Sequence, residues 1–150
     1  MKLTDLLSEQ RIVLDVDAKS KQEIIGGLVA LVVNGHDRQT LLDAILEREK
    51  LGSTGIGHGV AVPHVRLDAV ETPEIAFGRT TRPLDFEALD DEPCSLFFLI
   101  LGPTRKDAQD AYLQVMAKIS RLMRHAEIRA ALTAASTPAD ALAVLAENES

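Results

Sequence analysis

The sequence predicts an α/β protein of α+β character, with a single mixed β-sheet flanked by helices on both faces. Three observations carry that reading. The run "CSLFFLIL" (94–101) is apolar on consecutive residues, as a strand buried on both faces must be. Helical apolar patterns lie before and after the strand-like runs, so helices are available to cover both faces. The 150 residues, 46% of them hydrophobic, suit one core, and no Pro/Ser-rich linker or repeat divides them. Residues 1–150 are therefore read as a single domain.

In chain order, residues 3–8 permit a short helix and "RIVLDV" (11–16) a strand. Ser20 and Glu23 have the spacing of a capping box, in which each side chain meets the other residue's N–H. From there Ile24, Ile25, Leu28, Val29, Leu31 and Val32 hold a helical face to about Asn34, where "NGHD" breaks it. Asp37 can cap a second helix carrying Leu41, Leu42, Ile45 and Leu46, which ends by Gly52. A glycine-rich loop follows. Then "EIAFGRT" (74–80) and "CSLFFLIL" read as strands, joined by turns around a short extended piece holding Leu84 and Phe86. The last third is helical: Ala108, Ala111, Tyr112, Val115, Met116, Ile119, Leu122 and Met123 step by threes and fours. A short helix covers about Ala126–Ala134, and Thr137 with Pro138 opens a last one towards Glu147.

Composition narrows the function classes. Aromatics are 3% with no Trp, so the core is aliphatic. A net charge of −7 argues against a nucleic-acid surface, which needs basic stripes and stacking rings. It suits a basic or zwitterionic protein partner, or solubility alone. Cys94 has no partner for an internal disulfide and sits in an apolar run, so it reads as a buried structural thiol. With no signal peptide and no apolar run of membrane-spanning length, the expected place is the cytoplasm, without membrane insertion.

The chemistry concentrates in "GSTGIGHGVAVPH" (52–64). A Rossmann fingerprint fails, because Gly55, Gly57 and Gly59 have the wrong spacing and follow a helix. A P-loop fails for want of a lysine. Alternation along an extended segment would put His58 and His64 on one side, so two metal ligands are geometrically possible, but a third would have to come from an unmarked acid. A third reading makes the glycines a backbone cradle for an anion, with Ser53 and Thr54 adding hydroxyls and Arg48 a guanidinium. Pro63 then holds the segment extended, so His64 leaves it in a defined direction. The bland alternative, a glycine turn with His64 at a strand end, stays open on these residues alone.

The segment "REKLGSTGIGHGVAVPH" resembles the active-site segment of the enzyme IIA domains of the bacterial phosphoenolpyruvate-dependent sugar phosphotransferase system, of the fructose/mannitol and nitrogen-regulatory type. The likeness extends over nearly the whole chain, through "SKQEIIGGLVALV", "ILEREKLGSTGIG" and "PLDFEALDDEPCSLFFLILGP". It implies that His64 is a phosphoryl acceptor, Arg48 an active-site arginine and Thr54 a loop hydroxyl, with Ser53, Gly55, Gly57 and Gly59 forming the turn around the phosphoryl group. It implies no metal and no organic cofactor. The donor it implies is an HPr-type phosphocarrier protein, and the acceptor an enzyme IIB or a regulated target protein. A chain ending at residue 150 looks more like the free-standing regulatory type than like a multidomain transporter.

An imidazole of ordinary pKa is largely neutral and nucleophilic near pH 7. Transfer of a phosphoryl group between nitrogens needs in-line placement and charge stabilisation, which arginine and N–H donors supply. One departure stands out. Where the family commonly carries a second histidine, this chain has Tyr112, a phenol that donates one hydrogen bond and stays neutral. Two expectations follow: a phosphocarrier, or a regulatory interaction module of the same fold that transfers nothing.

Overall fold

A computed structural model describes residues 2–32 and 35–149. The chain opens with α1 (Leu3–Leu6) and a 3-10 turn, then β1 (Ile12–Val16), α2 (Lys21–Val32) and α3 (Arg38–Leu51). Three short strands follow, β2 (Gly55–Gly57), β3 (Val60–Ala61) and β4 (His64–Leu67), and then the two long ones, β5 (Glu74–Leu84) and β6 (Cys94–Pro103). Helices α4 (Gln109–Leu122), α5 (Ala126–Ala134) and α6 (Pro138–Asn148) complete it. Among the described residues the strands form one mixed sheet in the order β1-β5-β6-β3-β2, with β4 continuing the β3 edge beside β6.

Alternation along the two central strands divides the core. Ile75 and Phe77 of β5 and Leu96, Phe98 and Ile100 of β6 pack under α1, α4, α5 and α6. Ala76 of β5 and Phe97, Leu99 and Leu101 of β6 pack under α2 and α3. Both faces are buried, which is why "CSLFFLIL" shows no polar alternation. The helices start as their caps dictate: Asp37 accepts the Thr40 N–H at 2.9 Å, and Thr137 accepts that of Asp140 at 3.1 Å. At α2 only half of the expected capping box forms. Ser20 Oγ accepts the Glu23 N–H, but the Glu23 carboxylate takes the N–H of Lys19 instead. The expected break of α2 near Asn34 lies outside the described residues.

The largest departure from the sequence reading is the glycine-rich stretch, which is ladder and not loop. Strands β2 and β3 form a two-residue hairpin whose central residues, His58 (φ 58°) and Gly59 (φ 80°), are both left-handed. That is the turn whose twist suits a tight hairpin. Strand β3 then pairs parallel with β6 (Val60 with Leu96), and β4 resumes that pairing after Pro63 (His64 with Ile100). Cys94 is fully buried, and burial pushes its thiol up to about 11.

Candidate functional site

His64 stands at the first position of β4, where the extended stretch through Pro63 delivers it half-buried to the sheet edge. Its Nδ1 lies 2.7 Å from the Val62 carbonyl oxygen. A carbonyl only accepts, so Nδ1 carries the hydrogen and Nε2 keeps its lone pair. The main-chain carbonyl two residues back thus fixes which ring nitrogen keeps a free lone pair. Thr54 O accepts the Val62 N–H at 2.9 Å, and Gly55 pairs with Ala61. Continuing that antiparallel register sets Gly52 and Ser53 alongside Pro63 and His64. Arg48, in the last turn of α3, donates from Nη1 to the Gly52 carbonyl at 3.0 Å. The helix end and the histidine are therefore brought together.

The remaining glycines are not. Val60 is opposite Leu96 and His64 opposite Ile100, which separates the hairpin turn from His64 by about 13 Å along β6. The same turn breaks the alternation that would have put His58 and His64 on one side. His58 is exposed at the hairpin tip, its N–H donated to Asp90 Oδ2 at 2.9 Å. Among the described residues no three of His, Cys, Asp and Glu gather as metal ligands would.

The donors expected to cradle an anion already have partners inside the protein. The Thr54 N–H and hydroxyl both go to the Glu49 carboxylate, the N–H at 3.2 Å. The Ser53 hydroxyl donates to the Phe86 carbonyl and accepts the Gly55 N–H at 3.0 Å. A Cβ on Gly55 would come within 2.7 Å of Ala88 Cβ, so that glycine permits close approach of the β5–β6 connection. Ser53, Thr54, Gly55, Gly57 and Gly59 build and brace the hairpin that leads to His64. Glu49, buried and shared with Lys21 Nζ at 3.2 Å, is the brace that the sequence reading passed over. Its signal was a carboxylate at i+4 from Ile45 and i+8 from Leu41, on the buried face of α3.

Tyr112 lies in the first turns of α4, buried, with its ring over Gly102. No described residue hydrogen-bonds its hydroxyl, His64 included. Burial raises its pKa, while the charges of Arg66 and Arg48 act to lower it, so the phenol stands in the field of both guanidiniums. Arg66 was also passed over. It is two residues beyond His64 on β4, and the alternation in "HVR" puts both on one side. Its guanidinium carbon lies 5.7 Å from the Tyr112 ring centroid. The fold thus sets Arg66 two residues from His64 on β4, its guanidinium over the Tyr112 ring, with Arg48 in the last turn of α3.

The sequence model of the family described as "Phosphoenolpyruvate-dependent sugar phosphotransferase system, EIIA 2" matches residues 5–148. A PTS system fructose-specific EIIABC component of Bacillus subtilis (strain 168) is 37% identical over 140 residues, 91% of this chain. The chain spans 22% of that relative's length. A nitrogen regulatory protein of Bradyrhizobium diazoefficiens is 35% identical over 148 residues, covering 97% of this chain and 95% of that one. The crystal structure of nitrogen regulatory protein IIA-Ntr from Neisseria meningitidis superposes with a TM-score of 0.88 at 32% identity, over 95% of this chain and 98% of that one.

Proposed function

The chain belongs to the EIIA 2 family of the phosphoenolpyruvate-dependent sugar phosphotransferase system, and from that premise we propose that it is a phosphocarrier accepting a phosphoryl group on Nε2 of His64. The observation that carries the reading is the hydrogen bond from His64 Nδ1 to the Val62 carbonyl, which leaves Nε2 as the nitrogen with a free lone pair. The donor is the phosphohistidine of an HPr-type carrier or its nitrogen-branch relative. The Nε2 lone pair forms the new P–N bond as the donor's P–N bond breaks and returns its electron pair to the donor nitrogen. No proton has to move. Nδ1–H stays on the Val62 carbonyl, and the ring takes positive charge beside the phosphoryl oxygens.

Arg48 opposes the negative charge on those oxygens, a task for which a permanently charged, forked donor is suited. Tyr112 supplies a neutral phenol at the same edge. Two exposed apolar side chains, Leu51 (85% exposed) at the end of α3 and Leu113 (51% exposed) next to Tyr112 on α4, are available to a docking protein surface. The phosphoryl group passes on to an enzyme IIB, or its presence on His64 is read by a regulated target; relatives named nitrogen regulatory proteins support the regulatory use. No described helix is long and apolar enough to cross a membrane, and we place the protein in the cytoplasm, where such donors work.

The test is incubation with phosphoenolpyruvate, enzyme I and HPr, followed by assay for an acid-labile, base-stable phosphate. Wild-type protein should be labelled and His64→Ala should not, with the fold retained. Label on His64→Ala moves the acceptor elsewhere. No label on wild type leaves the second reading, an interaction module that transfers nothing, which the absence of a hydrogen bond between Tyr112 and His64 favours.

A further inference from the structure

We propose that Arg66 is a second phosphoryl-binding guanidinium of this site, held ready by Tyr112 and Gly102. The inference rests on the reading of His64 as acceptor and adds a residue to it. Strand β4 pairs in register with β6, His64 opposite Ile100 and Arg66 opposite Gly102. Ile100 belongs to the core layer under α4, so His64 and Arg66 both face that helix. Residues two apart on a strand have Cα atoms about 6.6 Å apart, within reach of an arginine's stem.

Two contacts hold Arg66 in place, and a third seats the ring it lies over. Its Nε donates to the Pro103 carbonyl at 2.9 Å. Its guanidinium lies over the Tyr112 ring, 5.7 Å from the centroid. The ring itself sits over Gly102, where a Cβ would come within 2.2 Å of Tyr112 Cδ1. Gly102 thus lets the ring approach the strand directly across from Arg66. Among the described residues neither Nη1 nor Nη2 of Arg66 has an acceptor, although the side chain is half-buried. A cation held by its Nε over an aromatic ring, with its fork unoccupied, is arranged to take an oxyanion.

The charge balance of the site gives Arg66 its task. Arg48 already donates Nη1 to the Gly52 carbonyl. The Tyr112 phenol is held neutral by burial, so it offers the phosphoryl group no positive charge. Arg66 is a further permanent charge, on the same strand and the same side as His64. It makes and breaks no covalent bond; its Nη hydrogens bond phosphoryl oxygens while the P–N bond passes from the donor nitrogen to Nε2.

Single-turnover transfer from phosphorylated HPr, measured across donor concentration, tests this. Arg66→Gln should lower the maximal rate by at least about tenfold while the half-saturating donor concentration stays within about twofold. Arg66→Lys should recover part of the rate, and added guanidinium ion should restore part of it to Arg66→Ala. An unchanged maximal rate makes Arg66 a stacking partner of Tyr112 only. A change confined to half-saturation makes it a docking contact. Either result overturns the proposal, and so does rate loss in Arg66→Ala without guanidinium rescue. The His64 reading fails separately, through an unlabelled wild type or a labelled His64→Ala.

Discussion

Gly102 of β6 and Tyr112 of α4 occupy one another's space: a Cβ on the glycine would lie 2.2 Å from Cδ1 of the ring and 2.5 Å from Cε1. Position 102 has no left-handed backbone, so it uses the missing side chain and not glycine's conformational freedom. The contact fixes the start of α4 against the strand that faces His64 and Arg66. Gly102→Ala should therefore destabilise the fold by about 1–3 kcal/mol, as overpacking does. It should also slow labelling of His64, because the ring and the arginine that lies over it must move. Combining it with Tyr112→Ala removes the clash, and the two losses should be clearly less than additive in denaturant melts. Strict additivity would show that the two residues do not share the space.

Glu49 is a brace for the histidine strand. Its carboxylate accepts both donors of Thr54 and pairs with Lys21, while the Thr54 carbonyl accepts the Val62 N–H. Glu49→Ala leaves those buried donors unpaired and should cost about 2–3 kcal/mol, the scale of hydrogen bonds to a charged group. Glu49→Gln keeps an acceptor and should cost less. Chemical denaturation measures both, and equal losses for the two would remove the carboxylate from the account.

The parts of the fold legible in the sequence were those that local pattern encodes. The unbroken apolar run of β6, the Asp37 and Thr137 caps and the stripe on α4 all sit where the periodicity set them. The stiff delivery of His64 through Pro63 was legible too. What stayed hidden depended on register between distant segments. Asp90 holds the His58 N–H from 32 residues away, and Phe86 takes the Ser53 hydroxyl from 33 away. Without those partners four glycines look like a loop open to a ligand. With them the same residues are a hairpin whose turn lies far along β6 from His64. Arg66 was hidden for the opposite reason: its signal was local, but only the pairing with Gly102 reveals which face of the sheet it shares.

Arg48 separates a site role from a surface one. If its guanidinium opposes phosphoryl charge, Arg48→Ala should lower the transfer rate by at least about tenfold, or ~1.4 kcal/mol of transition-state stabilisation. A residue that only caps the helix end through Gly52 would give a small loss of stability and an unchanged rate. Rate and melting temperature measured on one preparation tell the two apart.

Cys94 gives a test of burial by pH. Its thiol is pushed up to about 11, chiefly by desolvation, against an ordinary value of 9.0. The folded state therefore holds the proton more tightly than the unfolded state. The stability this contributes is full below about pH 9 and is lost as pH rises towards 11. Cys94→Ala should flatten the fall in stability over that interval. Native protein at pH 8 should also alkylate far more slowly than protein in denaturant, and equal rates would contradict the burial.

Tyr112 carries the last prediction, because it stands where the resemblance to the enzyme IIA family implies a second histidine. The hydroxyl bonds no described residue, and burial keeps it protonated. Removing it in Tyr112→Phe leaves the ring on Gly102 and under Arg66, so the fold and the stacking should survive. Transfer should then fall by only a few-fold, since a neutral donor contributes less than a cation to a developing oxyanion. Tyr112→His is the informative partner. A histidine here can become cationic beside the phosphoryl group, so it should raise the rate below about pH 6.5 and lose that gain as pH rises and the imidazole deprotonates. It also gives up the phenol ring that orients Arg66, so the gain should shrink when Arg66→Gln is combined with it. A Tyr112→Phe variant that transfers at the wild-type rate across pH 6–8 would assign the hydroxyl no part in the chemistry, leaving the ring as the platform for Arg66.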